Sequence, residues 1–126
     1  MNLHCPCGSS SSYDQCCGRF IESGERPETS EQLMRSRYTA FVLENTSYLL
    51  ETWAPEFRPE QLDFEPDCKW LGLKILYTKE GQKTDSHGVV SFVARYKVAG
   101  KATRLEEVSQ FRRVEGRWLY EHALET

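Results

Sequence analysis

The feature that most constrains this chain is a cluster of cysteines near its start. Four of the five cysteines lie within CPCGSSSSYDQCC, as two close pairs of thiols separated by eight residues. A structural Zn²⁺ ion takes four ligands at tetrahedral corners, with thiolate sulfurs about 2.3 Å away. Two close pairs joined by a turn meet that requirement. We therefore predict one structural zinc ion, held by Cys5, Cys7, Cys16 and Cys17.

The residues around the thiols favour the turns that such a site needs. Pro6 fixes one backbone angle, Gly8 and the serine run permit a tight reversal, and Gly18 is expected to ease a turn at the second pair. The alternative is a set of free or redox-active thiols. His4 competes as a ligand, but beside four thiols we expect it to be a bystander or a donor to a ligand. Because protein fills all four coordination positions, the site is structural rather than catalytic.

Composition limits the class of protein. An odd number of cysteines and the start MNLHCPCG, which lacks the pattern of a secretion signal, predict a cytoplasmic protein without a disulfide framework. A net charge of -3 argues against nucleic-acid binding as the function, since no general field attracts phosphate. No apolar run approaches the ~18 residues that span a bilayer. With 126 residues the chain fits one compact body with a short appendage.

The remaining sequence predicts an α+β fold. A polar linker near residues 24–30 separates an N-terminal hook, residues 1–23, from a body, residues 24–126. Thr29 or Ser30 is expected to cap a helix with one apolar stripe. A second short helix, with apolar residues from Tyr48 to Trp53, should end at Pro55, and antiparallel strands should follow over residues 70–77, 88–98, 102–114 and 117–123.

The alternation of the strands predicts which side chains face the helices. Both faces of the second strand are fairly apolar, so we expect it to be central in the sheet. In the third strand, Leu105, Glu107, Ser109 and Phe111 share one face. If Leu105 and Phe111 point inward, the two polar residues between them point inward as well.

The cysteine spacing, with Tyr13 before the second pair and Gly18 after it, resembles the SEC-C motif, the zinc hook of the SecA translocation ATPase. That hook is linked to binding of the chaperone SecB. The resemblance implies an adaptor that contacts a protein or ribosome-associated partner more than it implies a reaction centre.

A longer resemblance covers nearly the whole chain. The stretches LMRSRYTAFV, YLLETW, WLGL and GVVSFVARY, together with the hook, resemble the YchJ family of small bacterial proteins. This implies a cone of the nuclear-transport-factor-two-like fold, shared with ketosteroid isomerase and often dimeric through the outer sheet face, so the resemblance is compatible with a homodimer. Many relatives carry a second hook, but this chain ends at HALET, and where relatives often read TWHP it has Ala54. A catalytic histidine is therefore not expected there.

Cones of this fold enclose a pocket between sheet and helices, where their enzymes place an acid, a base and a tyrosine. An inward Glu107 is the most interesting candidate, although we favour an ion pair between it and Arg37 or Arg95. The leading hypothesis is a non-enzymatic, zinc-stabilised binding module, and the alternative is a small-molecule or lyase/isomerase-type pocket. The candidates to line that pocket are Arg37, Tyr38, Glu107, Ser109 and Tyr120.

Two further features are not expected to carry function. Cys68 has no activating partner nearby in sequence and should be a buried or strand-edge thiol. The basic cluster of Arg112, Arg113 and Arg117 lies beside a predicted hairpin and should be a solvated turn.

Overall fold

The computed structural model describes residues 4–124 and shows short helices followed by a four-stranded antiparallel sheet. This confirms the α+β fold. None of the helices in that part of the chain is long and apolar enough to cross a membrane. The helices are α1 (Gly18–Ile21), α2 (Ser30–Val42) and α3 (Thr46–Glu51), with 3-10 turns at Tyr13–Gln15 and Pro55–Phe57, and the strands are β1 (Cys68–Glu80), β2 (His87–Val98), β3 (Lys101–Val114) and β4 (Arg117–Ala123).

Helix α2 is the central helix of the molecule, and it begins where predicted. The Thr29 side chain accepts a hydrogen bond from the backbone N–H of Gln32 at 3.1 Å, which caps the first turn. The expectation of one apolar stripe was too narrow, because Ser36 and Thr39 are fully buried as well. Strands β1, β2 and β4 of the sheet contact α2, and so do the helices α1 and α3.

Helix α3 is shorter than predicted and leaves Trp53 outside it. The backbone N–H of Tyr120 donates to the Thr52 carbonyl, and that of Ala54 donates to the Tyr120 carbonyl, both at 2.8 Å. The chain therefore runs beside β4 in a short parallel bridge. These hydrogen bonds compete with another helical turn, and they place the Trp53 ring against Tyr120.

The sheet has the order β1-β2-β3-β4, with β2 inside it as predicted. Both of the expected tight hairpins are present. Ala99 and Gly100 have φ values of 50° and 84°, and Glu115 and Gly116 have 52° and 78°. Two consecutive residues with positive φ make the type of two-residue turn whose twist matches that of the adjoining strands.

One end of α2 is fixed tightly against the sheet. The Ser30 backbone N–H donates to the Gly81 carbonyl at 2.9 Å, and a Cβ on Gly88 would lie only 2.7 Å from the Ser30 hydroxyl oxygen. Further along the helix, Val90 and Phe92 of β2 form the core together with the four N-terminal cysteines. The hook thus packs into the same apolar core as the helix and the sheet.

Candidate metal centre and cone pocket

The four predicted cysteines meet at one point. Their sulfur atoms all lie within 4.8 Å of one another, with 3.6 Å between Cys7 and Cys16 and 3.9 Å between Cys16 and Cys17. A tetrahedral ion with bonds of about 2.3 Å needs sulfurs about 3.8 Å apart. The four residues have exposed fractions between 0% and 8%. This arrangement can hold a metal ion, and it leaves little access for a substrate.

Two glycines shape the hook, one of them for a different reason than expected. Gly8 has a φ of +84° and makes the predicted reversal. Gly18 is not among the residues with positive φ; it begins α1, and a Cβ there would lie 2.7 Å from the carbonyl oxygen of Tyr13. That same carbonyl accepts the backbone N–H of Cys16 at 3.0 Å. Gly18 therefore provides space for the hook's own backbone.

Hydrogen-bond donors surround the sulfurs. The Ser9 hydroxyl lies 3.1 Å and the Thr39 hydroxyl 3.7 Å from a sulfur of the cluster. Arg35 Nη1 donates to the carbonyl oxygen of Cys7 at 3.0 Å and lies 3.8 Å from its sulfur. Donors and a nearby cation stabilise sulfurs that carry negative charge, as the groups around a metal ligand do.

The sulfurs are too close to one another to ionise independently. Hydrogen bonds with Cys5 and Cys7, followed by burial, raise the pKa of the Cys17 thiol above its ordinary value. Contacts with Cys17 and Cys7 lower the pKa of Cys5 instead. One thiol thus ionises readily, and its negative charge makes ionisation of the neighbouring thiols less favourable. A divalent cation is the group that would allow all four to be thiolates together.

The remaining candidate ligands lie outside this cluster. His4 is exposed and forms an isolated β-bridge with Ser12, so it is a bystander. Cys68 is half-buried at the first residue of the edge strand β1, as expected of a strand-edge thiol. Desolvation, together with the charges of Glu65 and Glu44, raises the pKa of Cys68, so its reactive thiolate form is disfavoured.

A cavity of about 320 Å³, which we call the cone pocket, lies between α2 and the inner face of the sheet. Four predicted candidates line it: Arg37, Tyr38, Glu107 and Tyr120. The fifth, Ser109, is not part of the lining; it is fully buried and donates a hydrogen bond to Glu107. The rest of the lining is apolar and consists of Met34, Phe41, Trp53, Trp70, Phe92, Ala94 and Leu105.

Arg37 is a buried cation in the wall of this pocket, with 3% of its surface exposed. Its Nη1 donates to the Leu49 carbonyl at 2.8 Å and to the Thr52 hydroxyl at 2.7 Å. The guanidinium carbon lies 4.9 Å from the ring centre of Trp53 and 4.6 Å from that of Tyr120. Burial lowers the pKa of Arg37 to about 10, so the side chain is still charged at neutral pH.

Glu107 is held differently from the prediction. We expected an ion pair with Arg37 or Arg95, but no ion pair within residues 4–124 involves Glu107. Its Oε2 instead accepts hydrogen bonds from the Ser109 hydroxyl at 2.5 Å and the Tyr120 hydroxyl at 3.2 Å. Two neutral donors satisfy this oxygen, and the aromatic ring of Tyr120 contacts Arg37. The cation is therefore left without a carboxylate partner.

The two tyrosines of the pocket remain protonated over a wide pH range. Burial, and then the charge of Glu107, raises the pKa of Tyr120 to about 12. Burial raises the pKa of Tyr38 to about 12 as well, and its ring meets that of Trp70 edge-on at 5.6 Å. Both hydroxyls thus keep their protons at neutral pH, and that of Tyr120 already donates to Glu107.

Sequence reasoning missed part of the lining. Met34 and Phe41 share one face of α2 with Arg37 and Tyr38, at the i, i+3, i+4 and i+7 positions of a helix. That spacing is visible in the sequence. It predicts only a stripe facing the core, because the sequence does not show that a cavity interrupts the core at this point.

The arginines of the basic cluster near the β3–β4 hairpin form more contacts within the chain than expected of a solvated turn. Arg112 binds both carboxylate oxygens of Glu56, at 2.5 and 2.6 Å, and lies 3.4 Å from Glu121. Arg113 donates to the carbonyl oxygen of Lys83. These arginines are engaged within the chain, which does not favour a phosphate-binding surface.

Comparison with known proteins identifies the family. The model of the YchJ middle domain, described as nuclear-transport-factor-two-like, matches residues 29–123. The chain belongs to the YchJ family. Curated members of the UPF0225 group are similar to it. One from Streptomyces coelicolor is 48% identical over 92% of this chain and 90% of its own length, and one from Bordetella pertussis is 48% identical over 92% and 88%.

Two solved structures resemble this YchJ-family chain. The solution structure of RPA3114, a SEC-C motif protein of Rhodopseudomonas palustris, covers 98% of this chain and 99% of its own, with a TM-score of 0.86 and 34% identity. The crystal structure of a SEC-C motif protein of Psychrobacter arcticus covers 98% and 85%, with a TM-score of 0.75 and 23% identity, and supports the fold alone. These names state a family and a motif and no activity.

Proposed function

We propose that this protein binds a small, largely apolar molecule in the cone pocket, without converting it, and that one zinc ion in the hook stabilises the pocket. The observation that carries the proposal is the pocket itself, a cavity of about 320 Å³ with mostly aromatic and aliphatic walls and a few polar groups. Concave apolar sites of this size with a few polar groups are typical of small-molecule binding.

Zinc is the metal that the ligands favour. Four thiolates at tetrahedral spacing are typical of structural zinc sites, and they leave no coordination position for a reacting group. The ion would act on the pocket through packing. Met34 and Tyr38 belong to the core cluster that includes the cysteines, and both also line the cone pocket.

Binding fits the pocket better than catalysis does. Among residues 4–124, Glu107 is the only carboxylate in the lining, and one of its oxygens already accepts two hydroxyl donors. Position 54 is an alanine, fully buried, and no histidine is among the described residues that line the pocket. A proton-transfer site needs an acid or base placed against its substrate, and the carboxylate of this pocket is already held by the hydroxyls of Ser109 and Tyr120.

Blocking the pocket mouth tests the proposal. Leu105 lines the pocket but is 40% exposed, so Leu105→Trp should narrow the opening at little cost in stability. The matched control is Leu76→Trp, at a 47% exposed residue outside the cone pocket. A naphthalene-type probe should bind the wild type and the control and lose most of its affinity for Leu105→Trp. Equal binding by all three proteins, or binding by none, would contradict the proposal.

An adaptor role of the hook is the second candidate function. The observation that favours it is the exposure of the loop at residues 10–11 while the sulfurs beneath it are buried, so the cluster fixes the shape of a surface loop. A photo-crosslinker at Ser10 should capture one protein partner, and the same group at Lys101, in the distant β2–β3 hairpin, should not. Capture that persists after removal of the metal would count against this role.

A further inference from the structure

We propose that the ligand of the cone pocket is a small apolar carboxylic acid, whose carboxylate binds Arg37. This inference rests on the proposed binding function and names the class of molecule. Its basis is a buried guanidinium in the wall of the pocket that forms no ion pair and has one edge without an acceptor.

Arg37 forms no ion pair within residues 4–124, and the charge of Glu107 acts on it only from beyond ion-pair distance. The ion pairs of that part of the chain involve other residues, and the two hydrogen bonds of Arg37 go to a backbone carbonyl and a hydroxyl. A buried charge is costly unless it is paired, and the cost is offset by an opposite charge with good hydrogen-bond geometry. A pocket with such a cation in its wall favours an anionic ligand.

The hydrogen bonds of Arg37 leave a particular edge unused. Both of its acceptors are bound through Nη1, and the Nε and Nη2 groups have no hydrogen bond to the described residues. These two nitrogens form the side-on edge of a guanidinium, whose parallel N–H groups match the two oxygens of a carboxylate. One edge of one guanidinium suits a single planar carboxylate.

The other walls specify the body of the ligand. The lining is dominated by Trp, Phe, Tyr, Met and Leu side chains, which favour an aromatic or branched apolar group. Glu107 fixes the orientation. Its carboxylate is held on the hydroxyl side of Tyr120, whose ring contacts Arg37, so an acid bound the other way round would meet a like charge. The Glu107 end of the pocket instead suits a neutral group or a hydrogen-bond donor.

A matched pair of probes tests the inference on the metal-loaded protein. 2-Naphthoate and 2-naphthamide share a ring system and differ in charge. Each is titrated at neutral pH while NMR follows the indole N–H signals of Trp53 and Trp70. We expect the acid to bind at least about tenfold more tightly than the amide, because a hydrogen bond to a charged group contributes more than one between neutral groups. Arg37→Met should remove that preference.

Because Arg37 also binds Leu49 and Thr52, a second variant leaves it in place. Glu107→Gln removes the opposing negative charge, and it should strengthen naphthoate binding several-fold while the amide changes less than about twofold. Glu106→Gln, at an exposed neighbour paired with Arg104, is the matched control and should change neither.

Equal affinities for acid and amide would overturn the carboxylate inference and leave the binding function standing. An unchanged affinity of Glu107→Gln for naphthoate would overturn the inference too. Absence of binding by both probes at about 1 mM would overturn the inference together with the binding function.

Discussion

Replacing Cys17 with serine should destabilise the whole domain, because the cysteine cluster is part of the main core. Cys17 is 1% exposed, and its sulfur lies within 4.8 Å of the other three. Structural zinc contributes about 10–16 kcal/mol in small zinc domains, or about 2.5–4 kcal/mol for each of four thiolates. Serine does not replace a thiolate at neutral pH. Since a domain of this size is stable by about 5–15 kcal/mol, the loss is a large fraction of the total.

The expected lowering of the melting temperature is about 10–16 °C, at about 4 °C per kcal/mol for a chain of this length. Thermal unfolding followed by circular dichroism measures it, and elemental analysis of the same samples measures zinc, with one ion per chain expected in the wild type. Cys68→Ser is the matched control, since that half-buried thiol lies at the sheet edge away from the cluster. It should keep its zinc and melt close to the wild type.

A wild-type protein purified without metal under reducing conditions would refute the reasoning. The same is true of a Cys17→Ser variant that melts within about 2 °C of the wild type, an energy difference below about 0.5 kcal/mol. Either result would mean that packing alone holds the cysteine cluster together.

Three more predictions follow from the geometry. Gly18→Ala should cost about 1–3 kcal/mol in the free energy of unfolding, because its Cβ would press on the Tyr13 carbonyl, and thermal melts measure this. Tyr38 and Tyr120 have a pKa of about 12, above the value of about 10 in an unfolded chain. Their contribution to the free energy of unfolding is therefore complete below about pH 10 and is lost as pH rises through 12. Tyrosinate absorbance measures the titration, and denaturant titrations measure the loss of stability. A chelator should weaken probe binding in the cone pocket, because Met34 packs with the cysteines as well as lining the pocket, and NMR titrations before and after chelation test this coupling.

Features of local origin could be predicted from the sequence. The cap at Thr29 and the hairpins at Gly100 and Gly116 depend on a few adjacent residues, so their positions agree with the structure. The predicted end of α3 does not agree with the structure, because backbone hydrogen bonds with Tyr120 in β4 end the helix before Trp53. Tyr120 lies 67 residues after Trp53 in the chain, so no local sequence pattern predicts this contact.

The polar groups of the pocket show the same limit. Alternation along β3 was enough to place Glu107 and Ser109 on the inner face. It could not choose the partner of Glu107, and the ion pair that we expected with Arg37 is absent within residues 4–124. The partner of Glu107 depended on the side chain of Tyr120, which belongs to another strand.

The sequence by itself determined which four cysteines come together in one cluster, since they lie within thirteen residues as two close pairs. Only the tertiary structure decided what surrounds those thiols and where the core leaves a cavity. The physical reason is the range of the interactions. Spacing along the chain controls turns, caps and strand faces, whereas the partner of a buried charge such as Arg37 is chosen by side chains that meet only when helix and sheet pack together.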